Sequence, residues 1–122
     1  MERRCFIGLA SWVTASMALP LAWSRPLRAD TLFELIFGDA SMAACLGARH
    51  IEVDSAAGDR GRRLVDDLIM RAGRDWDALR RVLAQRIADD MAALDTVVVD
   101  GWVMARSEAD FCAAVCQDGT TA

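Results

Sequence analysis

Apolar and polar positions alternate with helical spacing over most of the chain. From Trp76 the residues Leu79, Leu83, Ile87, Met91 and Leu94 step by three or four, which predicts one long helix from Asp75 to Leu94 with a single apolar stripe. Asp75 suits the capping position, and the opposite face carries Asp77, Arg80, Arg81, Arg86, Asp89 and Asp90. Such mixing of sign reads as a solvated face, worth about 0.2–0.5 kcal/mol for each well-placed pair. A second amphipathic pattern, Leu64, Val65, Leu68, Ile69 and Ala72, is closed by Gly73 and backed by Arg62, Arg63, Asp66, Asp67 and Arg71. Upstream, Thr31 and Glu34 have the spacing of a capping box that opens a short apolar helix stopped by Gly38. Asp39 and Ser41 restart a helix through Leu46, with Gly47 placed to end it.

Between Ala48 and Gly61 the periodicity fails. His50, Glu52, Asp54, Ser55, Gly58, Asp59 and Gly61 mix charges with chain breakers, which reads as a surface connection holding a solvated histidine. Thr96 to Val99 is β-branched, and Asp100-Gly101 is a turn pair before Trp102-Val103-Met104, so this stretch reads as a small hairpin or one extended segment. Ser107 caps a last helix whose inward face is Phe111, Cys112, Val115 and Cys116, followed by a polar, frayed tail from Gln117 to Ala122. Trp76 and Trp102 lie on apolar stripes and read as core. The fold class expected is mainly α: a small helical domain of four or five helices with one short extended segment or hairpin near 96–104, after an N-terminal signal helix.

The first thirty residues have a different grammar. Arg3 and Arg4 precede an uncharged run from Phe6 to Ser24 laced with alanine, serine and glycine and interrupted by Pro20, the layout of a secretory signal and too mild for a membrane span. The stretch Arg3-Arg4-Cys5-Phe6-Ile7 resembles the twin-arginine (Tat) motif, with Arg3, Arg4, Phe6 and Ile7 at its matching positions and Glu2 where that family prefers serine or threonine. The resemblance implies export of a folded chain by the Tat translocase. The expected division is a signal peptide over 1–29 and a helical domain over 30–122. A cut after Ala18 is the alternative to one after Ala29, which is favoured because Asp30-Thr31 would then open a helix.

Charge and thiols narrow the function classes. Without residues 1–29 the chain holds ten arginines against seventeen acidic residues, net −7, a surface that repels nucleic acid and anionic lipid. Contact with a membrane is therefore expected only through the signal segment. Outside the cytoplasmic membrane disulfides are permitted, and the three cysteines beyond the leader suggest one bridge from Cys45 to Cys112 or Cys116. Cys45, His50, Cys112 and Cys116 are also the one set with metal-ligand chemistry, three thiolates and an imidazole of the kind zinc accepts. Their spacing equally describes a buried helix face, and the structural reading weighs more. No residue set reads as catalytic: the adjacent pairs Asp66-Asp67 and Asp89-Asp90 point about 100° apart on a helix and share no proton. No cofactor fingerprint is present either.

A twin-arginine leader before a short helical body without a cofactor motif is similar to the small accessory subunits of membrane-associated bacterial dehydrogenases, of the gluconate 2-dehydrogenase subunit 3 kind. That resemblance implies a periplasmic, non-catalytic subunit accompanying a larger, cofactor-bearing redox partner, and it carries over no functional residue. A chain whose leader is kept would be membrane-associated. The alternative reading is a free-standing periplasmic thiol- or metal-binding protein.

Overall fold

The computed structural model describes residues 27 to 121; Arg3, Arg4, Phe6, Ile7 and the rest of positions 1–26 lie outside the described residues, as does 122. Five helices and one hairpin follow in order: α1 Ala29–Phe37, α2 Ser41–Val53, α3 Ala57–Ala72, α4 Trp76–Ala92, β1 Thr96–Val99, β2 Trp102–Ala105 and α5 Arg106–Thr121. The chain is mainly helical, as its periodicity predicts. Among the described residues no helix is long and apolar enough to cross a membrane.

The sequence rules hold best where a local signal acts alone. Asp75 caps α4, its carboxylate accepting from the Ala78 N–H at 3.1 Å. Gly38 and Gly73 end α1 and α3 with φ of 99° and 65°, conformations that exact a steric penalty from any side chain. Asp100 and Gly101 take φ of 52° and 85°, the mirror-image turn whose twist suits a two-residue hairpin. The strands pair antiparallel with Val98 opposite Val103 and Val99 opposite Trp102.

Helix α5 is the centre of the packing. Asp110, Phe111, Cys112, Ala113, Ala114 and Val115 are all buried, so this helix is covered on every side. α2 and α3 make its most extensive contacts, and α1, α4 and the hairpin complete the shell. Glycine sets the approach. A Cβ on Gly47 would overlap the Cys112 carbonyl, and one on Gly61 would overlap the Asp110 carbonyl, so both helices cross α5 at backbone distance.

Those crossings overturn the expected connection over 48–61. α2 runs through Gly47 to Val53, α3 starts at Ala57, and only three residues join them. His50 is not a solvated loop residue but is 2% exposed within α2. Gly47 and Gly61 were breakers by local propensity; tertiary contact with α5 outweighs the roughly 1 kcal/mol that glycine costs inside a helix.

Several boundaries also move. α1 begins at Ala29, so Thr31 sits inside the first turn instead of capping it. α5 begins at Arg106, and the Asp90 carboxylate accepts from the Ser107 N–H at 2.8 Å, a cap supplied by another helix in place of the Ser107 side chain. The expected frayed tail is helical to Thr121, with Asp118 accepting from Arg62 at 3.2 Å, from the Arg28 side chain through its carbonyl and from the Ala29 N–H. Trp102 is 66% exposed at the end of its strand and is not core, whereas Trp76 packs half-buried against the core.

Candidate functional site

The glycine crossings bring polar side chains from two helices onto one buried carboxylate. His50 lies one turn beyond Gly47 on α2, and Arg60 adjoins Gly61 on α3. Both reach Asp110, which is 5% exposed on α5. His50 Nε2 is 3.0 Å from Asp110 Oδ1; Arg60 donates through Nε to Oδ2 and through Nη2 to Oδ1, each at 3.0 Å. Such a two-pronged guanidinium–carboxylate pair fixes orientation as well as charge. Because Asp110 accepts from Arg60 with both oxygens, the His50 Nε2 position donates and Nδ1 is left as the acceptor. That Nδ1 is buried and has no hydrogen-bond partner among the described residues.

Arg60 also binds Asp54, whose carboxyl is held below the usual carboxylate range chiefly by that hydrogen bond; the Arg60 guanidinium is shifted upward, by its hydrogen bonds to Asp110 first and to Asp54 second. Asp54 supports the fold fully above the ordinary aspartate range, and this support is lost as pH falls through its depressed value.

Outward of Asp110 the cluster opens into a polar cleft of about 410 Å³ between α3, α4 and the start of α5. Its walls carry Arg60, Arg63, Asp67, Arg86, Asp90, Asp95, Arg106 and Ser107, over Leu64. The Ser107 hydroxyl is buried and unpartnered among the described residues.

A second concavity, about 270 Å³, is apolar. Phe33, Phe37 and Met42 from the α1–α2 corner face Leu83 and Ile87 of α4 and Phe111 of α5, with Asp39 and Glu108 beside them. Phe33 stacks obliquely on Phe37 and Phe111, ring centres 5.0 and 5.6 Å apart. Leu35, Phe37 and Met42 are 46%, 51% and 69% exposed. The α4 stripe explains the shape: Leu79 and Leu83 are buried, Ile87 is half-buried and Met91 emerges at 45%, while Leu94, expected on the stripe, lies past the helix end with φ 58° and is 84% exposed.

The metal-donor set of the sequence is not gathered. Cys45 is exposed, Cys112 is buried beside the apolar concavity, Cys116 is half-buried, and all three thiols are free, so the bridge expected from Cys45 is not formed. His50 spends Nε2 on Asp110. Among the described residues no group of three or more His, Cys, Asp or Glu is placed to hold a metal ion.

Burial, with a smaller push from the Glu108 carboxylate, raises the Cys112 thiol to about 12. Its thiolate fraction at pH 7 is then on the order of 10⁻⁵. Iodoacetamide at neutral pH should accordingly modify Cys45 in the native protein and reach Cys112 only after denaturation, read by peptide mass spectrometry. Equal modification of both in the native state would contradict the burial of Cys112.

Sequence reasoning missed Asp54, Arg60 and Asp110 as members of one cluster. The available signal was the pairing of glycines with polar residues, Gly47 with His50 and Arg60 with Gly61, alongside the small residues Ala109, Ala113 and Ala114 on a partner helix. No protein-family model matches this chain, and neither the curated proteins nor the solved structures include a match to it.

Proposed function

We propose that this chain is an exported, non-catalytic accessory subunit that docks on a larger, cofactor-bearing oxidoreductase. The observation that carries the reading is the apolar concavity with the exposed Phe37 and Met42 in its lining, a surface that burial against another protein would stabilise. The twin-arginine stretch at Arg3 and Arg4 supports the route, since that machinery takes folded cargo and allows a subunit to travel with a loaded partner. The interior supports the role: its strongest polar cluster, around Asp110, ties α2, α3 and α5 together and serves a rigid shape.

The test is affinity purification of the full chain from its native host, with bound protein identified by mass and its cofactor by absorbance. A stoichiometric flavin-, haem- or molybdenum-bearing partner is expected, and Phe37→Glu should release it while the helical circular dichroism is kept. A chain that elutes alone as a monomer at every concentration would overturn the reading. Arg3→Lys with Arg4→Lys should leave the product inside the cell.

A further inference from the structure

The charges lining the polar cleft do not all cancel locally. Arg60 is matched by Asp110 at 3.0 Å, Arg86 by Asp67 at 2.9 Å and Arg106 by Asp95 at 2.8 Å. Two charges of the lining remain, Arg63 from α3 and Asp90 from α4, and among the described residues neither forms a salt bridge. Asp90 spends one oxygen on the Ser107 N–H at 2.8 Å, which places it beside the buried, unpartnered Ser107 hydroxyl.

We propose that this cleft binds a compact zwitterion of the free amino-acid class, its carboxylate on Arg63 and its ammonium on Asp90, with the Ser107 hydroxyl completing the polar contacts. Charge balance selects the zwitterion. An anion alone would satisfy Arg63 but meet Asp90 unscreened, and a simple cation would do the reverse. A zwitterion matches both and adds no net charge to a lining that already holds four arginines and four aspartates. The space agrees, because about 410 Å³ lies in the range of roughly 300–1,000 Å³ usual for small-molecule sites. Leu64 between the polar walls gives a small aliphatic side chain an apolar contact.

The full-length protein is titrated by calorimetry with glycine, alanine and glutamine, and in parallel with acetate and methylammonium, each up to about 10 mM. Amino acids should bind, and neither half-ligand should bind comparably. Arg63→Gln and Asp90→Asn should each weaken binding about tenfold or more, the loss of one charge-assisted contact. Asparagine keeps an oxygen for the Ser107 N–H, so the start of α5 stays capped; Arg63 is exposed, so its variant tests the site independently if the other fails to fold. Acetate binding as tightly as alanine would replace the proposal with a plain anion site. Absence of heat with all three amino acids, or unchanged affinity in Arg63→Gln, would overturn it.

Discussion

Gly61→Ala should destabilise the protein by about 3 kcal/mol, although alanine is the better helix former by about 1 kcal/mol. The added Cβ would overlap the Asp110 carbonyl and crowd the Ala114 methyl at 2.9 Å, and neither can yield without moving α5. Gly47→Ala should behave in the same way, since its Cβ would meet the Cys112 carbonyl and lie 2.8 Å from the Ala113 nitrogen. Gly58→Ala is the control. The atoms nearest its Cβ would be the end of the flexible Gln117 side chain and not backbone, so the loss should stay below about 1 kcal/mol. Urea midpoints followed by circular dichroism separate the three. A Gly61→Ala protein more stable than its parent would mean that α3 and α5 do not cross at backbone distance.

Asp110→Asn should cost about 3 kcal/mol, because it removes the buried charge that His50 and Arg60 converge on and leaves Arg60 with Asp54 alone. The effect should depend on Arg60. With Arg60→Gln already in place, the same change should cost at least about 1 kcal/mol less, since residues of one network couple. Costs that add within about 0.5 kcal/mol would show that Arg60 and Asp110 act separately.

How far the chain could be read in advance follows from where each signal originates. α4 was legible because its stripe, its cap at Asp75 and its spacing are contained within the helix itself. The hairpin was half legible: Asp100-Gly101 marks the turn, but two four-residue strands are too short to declare themselves without the helices they lie on. The Asp110 cluster was not legible. Its glycines look like breaks, and Asp54 and Arg60 like a solvated loop, until another helix is present to require close approach and to supply the buried carboxylate of Asp110. Ser107 shows the converse, a residue with the right chemistry for a cap that is displaced by a carboxylate arriving from a different helix.

The clasp at Asp118 sets how far the chain tolerates trimming from its start. The helical body closes head to tail there: Arg62 donates to the Leu27 carbonyl at 2.6 Å, Arg28 and the Ala29 N–H engage Asp118, and the Ala29 methyl is wholly enclosed. A cut after Ala29 would remove Leu27, Arg28 and Ala29 from this clasp and leave Asp118 with Arg62, whereas a cut after Ala18 would spare all of it. The last turn of α5 thus gauges how far the chain could be shortened from its start without opening the fold.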